Sequence, residues 1–141
     1  MGTTEFQSGR TFVFRAEHDS ELVQSITKFA KEKGIKKAFF TAIGAVKRAK
    51  LGYYHQQKHE YITFSVESPH EIVSCIGNIS LKNGEPFVHA HAVLADEKGN
   101  TEAGHFFEGT VFAAEIYLQE LVGPELVREH DEITNLSLWR T

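Results

Sequence analysis

The chain has 141 residues, a formal net charge of −4, 41% hydrophobic residues and a single cysteine. That length is typical of one domain with a hydrophobic core. The sequence has no apolar run long enough to cross a bilayer and no charged-then-apolar leader, and its one cysteine excludes an intramolecular disulfide. We therefore expect a cytoplasmic protein in which Cys75 is a buried, inert thiol.

The charge is unevenly distributed along the chain. Residues 1–58 contain 11 Lys and Arg against 5 Asp and Glu, whereas residues 59–141 contain 4 against 14. Such asymmetry fits a nucleic-acid patch or complementary surfaces within an oligomer. The acidic total argues against nonspecific affinity for DNA, so we favour solvated surface charge as the interpretation.

The first third of the chain predicts a tail, a strand and a helix. Residues 1–9 are small and polar, which predicts a flexible tail. Alternating aromatic and branched residues predict a strand over Arg10–Ala16. Apolar residues at helical spacing predict a helix over Ser20–Lys33, with Asp19 as its N-cap and Gly34 as its C-terminal stop.

The middle of the chain predicts a series of strands. Apolar and branched residues predict strands over Lys36–Val46, Ala49–His55 and Glu60–Glu67. A longer strand is predicted over His70–Leu81, with a bulge near Gly77.

The remaining residues continue this hairpin-rich pattern. Lys82-Asn83-Gly84 predicts a tight turn into the next strand, because Asn-Gly suits positive φ. Thr110–Leu121 is predicted as a strand, and residues 122–141 as a short helical turn followed by an edge strand. The sum is about seven strands and one main helix, which predicts a single α+β domain with a mostly antiparallel sheet.

Three histidines carry the main chemical signal. His89 and His91 form an H-x-H pair on a predicted strand, so both imidazoles point to one face with their Cα atoms roughly 6.6 Å apart. The Glu97–Asn100 turn follows, and His105 lies on the next predicted strand. If the two strands pair antiparallel, His105 approaches the same patch, and three imidazoles form an open half-cage for a divalent metal.

A purely structural role for these histidines is the alternative. The chain has eight histidines, so an H-x-H pair is weak on its own. The small residues Ala90 and Ala92 predict that the opposite face of this strand packs in the core. Partly buried neutral imidazoles need either hydrogen-bond partners or a metal, and from the residues alone both alternatives stay open.

The same residues resemble a known family. The Gly84–Val111 segment, with Glu71-Ile72 and Ala42–Ala45, is similar to the PPC domain (plants and prokaryotes conserved), and the similarity extends from about Arg10 to Leu138. In plants this domain follows an AT-hook DNA-binding motif, and in prokaryotes it stands alone. Its most specific part comprises His89-Ala90-His91, Asp96, Gly99, Gly104-His105 and Gly109-Thr110-Val111.

This resemblance implies both a ligand set and an assembly. The fold is related to acetolactate decarboxylase, a zinc enzyme with an H-x-H and a downstream histidine at its metal. The relation implies that His89, His91 and His105 hold a metal. The PPC family implies that residues 10–141 are the PPC-type domain and that the protein is a homotrimer. Three imidazoles favour Zn²⁺, with Fe, Co, Ni or Mn as alternatives.

Two classes of function follow from this interpretation. In one, the protein is a trimeric PPC-type binding module, associated with DNA by family analogy, although the chain contains no R-G-R-P core of an AT-hook. In the other, it is a small metalloenzyme, a lyase or hydrolase, acting on a small oxygenated substrate at the metal. Glu71 is the first candidate for its acid or base, since it falls in a segment shared with the family, and Glu102 and Glu108 are weaker candidates.

Overall fold

Branched and aromatic residues fill long stretches of this chain, and the structure folds them into extended strands. The computed structural model describes residues 2–140, which form eight strands and one helix. This confirms the predicted α+β class and antiparallel sheet, with eight strands where about seven were predicted. The elements are β1 Gln7–Ala16, α1 Leu22–Lys33, β2 Ala38–His55, β3 Glu60–Val66, β4 His70–Lys82, β5 Glu85–Ala95, β6 Thr101–Val122, β7 Arg128–Asp131 and β8 Leu136–Trp139.

Six of the strands form one sheet that closes on itself. The sheet order is β1-β6-β5-β4-β2-β3, and β6 also pairs with β2. Each of β2, β4, β5 and β6 is therefore bonded to two of the others, and these four strands form a ring. Since β2 has 18 residues and β6 has 22, β2 extends past its pairing with β4 and pairs there with β3, and β6 extends past its pairing with β5 and pairs there with β1.

Helix α1 covers part of the core face of this sheet. Its residues Leu22, Ile26 and Ala30 are buried, and Phe29 packs on Phe12 and Phe14 of β1 with ring centroids 5.3 and 4.0 Å away. Burying a leucine or isoleucine side chain stabilises the fold by about 1.5–3 kcal/mol. No helix among residues 2–140 is long and apolar enough to cross a membrane.

The start of the helix differs from the prediction. Helix α1 begins at Leu22, and its N-cap is Glu21, whose carboxylate accepts hydrogen bonds from the backbone N–H groups of Val23 and Gln24 at 2.9 and 2.7 Å. The predicted cap Asp19 has a φ of 64° and pairs instead with Lys47 at 2.5 Å. The predicted C-terminal stop is confirmed, because Gly34 takes a left-handed conformation with a φ of 66°.

The strands are longer and less interrupted than predicted. β1 begins at Gln7, inside the segment predicted as a tail, and the two strands predicted within 36–55 are one continuous β2. The register shift in β4 falls between Ile72 and Ser74, so the predicted bulge at Gly77 is wrong. Gly77 has a packing role, because a Cβ there would lie 2.2 Å from Cζ of the buried Phe40.

Two local predictions in the second half are confirmed. The turn between β4 and β5 has φ values of 53° at Asn83 and 79° at Gly84, which Asn-Gly adopts readily. The Thr110–Leu121 segment is extended and lies within β6. Cys75 is buried, and burial raises the pKa of its thiol to about 12, which keeps it protonated and unreactive.

The C-terminal segment forms a small hairpin, in which β8 confirms the predicted final strand and β7 stands where a short helical turn was predicted. Strands β7 and β8 pair with each other in a separate two-stranded sheet. Arg128 on β7 and Trp139 on β8 both donate to the hydroxyl of Ser80 on β4, at 2.8 and 3.2 Å. These contacts hold the hairpin against the ring of strands.

Candidate metal centre

The three histidines lie where two neighbouring strands separate. Strands β5 and β6 pair from Ala95 opposite Thr101 to His91 opposite His105, and the register ends with that pair. His89 lies two residues before His91 on β5, beyond the paired stretch, and on the same face as His91. Strand alternation and antiparallel pairing thus bring all three imidazoles to one side of this fork.

The distances between the rings suit a shared ion. One nitrogen from each of His89, His91 and His105 lies within 4.8 Å of the other two. The Nε2 atoms of His89 and His91 are 3.3 Å apart. Two nitrogens bound to one tetrahedral zinc ion at its usual bond length are also about 3.3 Å apart. Ring centroids are separated by 5.1, 5.2 and 5.5 Å across the three pairs.

The surroundings keep two of these rings neutral. Burial lowers the pKa of His89 to about 4, assisted by the charges of Arg128 and His91. Burial likewise lowers the pKa of His105 to about 4, assisted by His89 and His91. Neutral imidazole is the form that binds a metal, so both rings are ready to act as ligands near neutral pH.

His105 also carries an unsatisfied polar atom. Its Nδ1 is buried and has no hydrogen-bond partner among the described residues. Its ring packs against Tyr61 and Phe107, with centroids 5.0 and 4.5 Å away. A buried polar atom without a partner is costly, and an ion coordinated by the ring would offset that cost. The residues therefore fit a metal.

Arg128 touches the first histidine from the side. Its Nη2 group lies 3.4 Å from Nδ1 of His89. This contact is longer than a normal hydrogen bond, so it does not fix which ring nitrogen of His89 carries the proton.

The cluster has three ligands and no carboxylate. Among residues 2–140, no Asp or Glu joins the group formed by the three histidines. An ion held there would keep an open coordination position, as in catalytic zinc sites. A cavity of about 370 Å³ adjoins the site, and His89, His105 and Tyr61 are among its lining residues.

Glu71 lies away from this cluster. It pairs with Ala95 on β5, whereas His91 pairs with Ile76, so roughly 15 Å of strand separates Glu71 from the histidines. Its side chain lines a different cavity, beside Lys47 and Phe112. Neighbouring His70 is buried, and its Nδ1 lies 2.9 Å from the carbonyl oxygen of Ser68, which gives that ring a structural partner.

Sequence reasoning missed two residues beside the site. Arg128 lies in the C-terminal segment, where no motif marked it, and it reaches His89 across 39 positions of sequence. Tyr61 lies on β3, which was predicted only as a strand, yet its ring contacts His105. Neither Arg128 nor Tyr61 belongs to a local sequence motif, so the sequence alone gives no sign of these contacts.

The closed antiparallel sheet and the open three-histidine cluster define a small α+β protein with a candidate metal centre. The family model of the Plants and Prokaryotes Conserved (PCC) domain matches residues 3–122. The chain belongs to this family, whose name is also abbreviated PPC. The resemblance found in the sequence is thereby confirmed.

Two solved structures are similar to this chain over its whole length. A plant- and prokaryote-conserved (PPC) protein from Pyrococcus horikoshii is 44% identical, with a TM-score of 0.95, and the match covers 100% of this chain and 98% of that one. A metal-containing protein from Archaeoglobus fulgidus is 41% identical, with a TM-score of 0.96, and the match covers 100% of both chains. A search of curated proteins found no match.

More distant structures share only the fold. A putative DNA-binding protein from Bacteroides thetaiotaomicron is 21% identical, with a TM-score of 0.86 and 96% of each chain covered. Acetolactate decarboxylase from Bacillus subtilis is 15% identical, with a TM-score of 0.55, and the match covers 89% of this chain and 57% of that one. The predicted fold relation to the decarboxylase is confirmed at this level.

Proposed function

We propose that this chain is a homotrimeric, metal-binding PPC-domain protein that holds one zinc ion with His89, His91 and His105. The observation that carries the proposal is the convergence of three ligand nitrogens within 4.8 Å of one another. Two of these rings are kept neutral by burial, and one has an unsatisfied nitrogen. The similar protein from Archaeoglobus fulgidus is described as metal-containing, which supports a metal in this chain.

The choice of zinc comes from the donor set. Three imidazoles are borderline-soft nitrogen ligands, which suit zinc and other first-row divalent metals better than magnesium or calcium. When bound with one open position, zinc acts as a Lewis acid toward a small ligand. Iron, cobalt, nickel and manganese are the competing metals for the same ligands.

Elemental analysis of untagged protein tests the metal and its ligands together. We expect about one zinc per chain, and loss of most of it in His105→Ala, because two ligands bind far more weakly than three. His130→Ala is the matched control, since His130 is exposed on β7 and lies outside the cluster. Full metal content in His105→Ala would rule out this ligand set.

An exposed apolar face supports the homotrimer. Val13, Tyr117 and Ile76 lie in one row of paired residues that continues to His91, and they are 77, 48 and 61% exposed. The accessible surface of 8658 Å² exceeds the roughly 7,400 Å² expected for a compact monomer of this mass. Contiguous exposed apolar surface is typical of an interface between copies.

Light scattering tests the assembly. We expect a mass three times that of the chain for the native protein, and a smaller mass for Ile76→Glu, because a buried unpaired charge opposes association. Ile133→Glu is the control, since Ile133 is 82% exposed in the turn between β7 and β8, outside this row. A native protein that runs as a monomer would contradict the trimer.

A small metalloenzyme is the second candidate function. The adjoining cavity of about 370 Å³ favours it, because it gives a small molecule access to His89 and His105. The fold likeness to acetolactate decarboxylase is compatible with a lyase. An activity that disappears on chelation and returns with zinc would support this class, whereas no turnover of small oxygenated substrates by the zinc-loaded protein would favour the binding module.

DNA association remains a family analogy in this proposal. The Bacteroides thetaiotaomicron protein is called a putative DNA-binding protein, and this chain shares its fold. The net charge of −4 and the lack of an R-G-R-P motif argue against direct, nonspecific binding. Salt-dependent retention of the protein on duplex DNA would support a DNA role. If the protein is not retained even at low salt, direct DNA binding is ruled out.

A further inference from the structure

We propose that the cavity beside the three histidines binds a small organic oxyanion, a carboxylate or phosphate attached to an apolar body, and that Arg128 and Lys82 receive its charged group. This inference deepens the proposed function by naming a ligand class for the same site. The anion contacts come from the two cationic side chains, so they do not require the ion.

Arg128 is a buried cation whose hydrogen-bond partners are all neutral. The residue is 9% exposed. Its Nε donates to Ser80 Oγ at 2.8 Å, Nη1 donates to the Ser137 carbonyl at 2.9 Å, and Nη2 donates to Asn78 Oδ1 at 2.8 Å. The fourth contact, to His89 at 3.4 Å, is longer than a normal hydrogen bond.

This bonding leaves donor capacity for a ligand. A guanidinium has five N–H groups, and four are used, one of them in the long contact with His89. One hydrogen on Nη1 therefore has no partner within residues 2–140, and the Nη2 hydrogen directed at His89 is weakly held. A carboxylate or phosphate accepts from two such hydrogens at once.

The charge of Arg128 also has no acidic side chain beside it among the described residues. No Asp or Glu carboxylate among residues 2–140 forms a salt bridge with it, whereas exposed Arg10 and Arg140 pair with Glu120 and Glu129 at 2.7 and 3.2 Å. A buried charge is costly without an opposite charge beside it. An anionic ligand would supply the missing partner.

Aromatic rings compensate this charge only in part. The Arg128 guanidinium lies 5.6 Å from the ring centre of Phe87 and 5.4 Å from that of Trp139. Such contacts stabilise a cation without neutralising it. The hydrogen bonds to Ser80, Ser137 and Asn78 hold the guanidinium in place.

The cavity itself is cationic at one part of its wall and apolar elsewhere. Arg128 and Lys82 line its volume of about 370 Å³, and no Asp or Glu of the described part of the chain does. Lys82 has no salt bridge among the described residues, and its Nζ lies 4.8 Å from the Phe87 ring centre. Residues 59–141 contain 14 acidic residues and only 4 basic ones, and two of those 4, Lys82 and Arg128, line this cavity.

The apolar wall and the volume indicate the rest of the ligand. Phe87, Phe107 and Leu138 line the cavity together with the ring of Tyr61. Small-molecule sites are commonly about 300–1,000 Å³, mostly apolar, with a few polar groups that fix orientation. An inorganic ion would leave this apolar surface uncovered, so we expect an organic anion.

Calorimetric titrations with benzoate, phenyl phosphate and neutral benzamide test the proposal. We expect benzoate or phenyl phosphate to bind about tenfold or more tightly than benzamide, which has the same body without the charge. The tighter of the two anions identifies the oxyanion. Inorganic phosphate should bind more weakly than phenyl phosphate, because it has no apolar body.

Two variants locate the binding. Arg128→Gln and Lys82→Gln should each weaken the anions about tenfold. Arg140→Gln should not, since Arg140 lies outside the cavity and pairs with Glu129 on the surface. Arg128 also ties the C-terminal hairpin to β4, so if its variant unfolds, Lys82→Gln decides, because Lys82 makes no such tie.

Each titration is run on chelator-treated and on zinc-loaded protein. Equal affinity for benzoate, phenyl phosphate and benzamide, or anion binding unchanged in the folded cavity variants, would overturn the proposal. Anion binding in a protein that takes up no zinc would support this inference and refute the proposed metal site. Zinc uptake without anion binding would support the proposed metal site and refute this inference.

Discussion

Lowering the pH from about 7.5 to about 5.5 should destabilise the metal-free protein through His89 and His105. Both imidazoles have a pKa lowered from 6.5 to about 4 in the folded chain, mainly by burial. In the unfolded chain they regain the ordinary value, so between these limits the unfolded state binds more protons than the folded state. Stability is therefore greatest above pH 6.5 and is lost as the pH falls toward 4.

The size of the effect follows from the same values. A pKa of about 4 against 6.5 corresponds to about 1.4 kcal/mol per imidazole at pH 5.5. Both rings are only partly buried, and solvent screening reduces this to about 1 kcal/mol each. We therefore expect the chelator-treated protein to lose roughly 2 kcal/mol between the two pH values.

Urea denaturation of chelator-treated protein at both pH values measures this loss. The matched protein is the double variant His89→Gln/His105→Gln, in which glutamine does not titrate and the pH effect should fall by most of the 2 kcal/mol. An equal pH dependence in the two proteins would refute the assigned pKa shifts. The lowered carboxylate pKa values of Asp19, Asp96 and Asp131 act at lower pH and do not disturb the comparison.

Three further outcomes are expected. Zinc at about 100 times its dissociation constant should stabilise the protein by about 2.7 kcal/mol, seen as a higher melting temperature that chelation reverses; no shift would mean that no ion binds the folded state preferentially. Gly77→Ala should cost about 1–3 kcal/mol in urea denaturation, because its Cβ would collide with Phe40; a neutral effect would contradict the packing. Glu21→Ala should cost about 1 kcal/mol in urea denaturation by the loss of the helix cap, and an unchanged denaturation midpoint would contradict the Glu21 cap.

The three-histidine cluster could be predicted because it depends on short-range rules. Strand alternation places His89 and His91 on one face, and one antiparallel pairing brings His105 opposite His91. The sequence could not show that β5 and β6 part at this pair. That separation depends on where β6 turns to pair with β2 and β1, which is a property of the whole sheet.

The incorrect predictions share a dependence on distant contacts. Asp19 satisfies the local pattern of a helix cap, yet Glu21 has the longer side chain, and it also accepts from the backbone N–H of Gly109 at 3.0 Å. Gly77 was predicted as a bulge residue, but its lack of a side chain leaves room for the Phe40 ring on another strand. In each case a neighbour remote in sequence decides the outcome.

Arg128 is the clearest limit of sequence reasoning here. It lies 39 residues beyond His89 and 48 beyond Ser80, and both contacts require the C-terminal hairpin to fold back on the ring of strands. Glu71 shows the converse, since its place in a shared segment suggested a role, but the strand register carries it away from the histidines.

The family match ends at residue 122, whereas the hairpin that supplies Arg128, Ser137 and Leu138 to the cavity wall comes after it. The three histidines and Lys82 therefore lie inside the matched residues, whereas Arg128 lies outside them. A sequence change confined to residues 123–140 would therefore alter one side of the cavity wall and leave the three histidine positions unchanged.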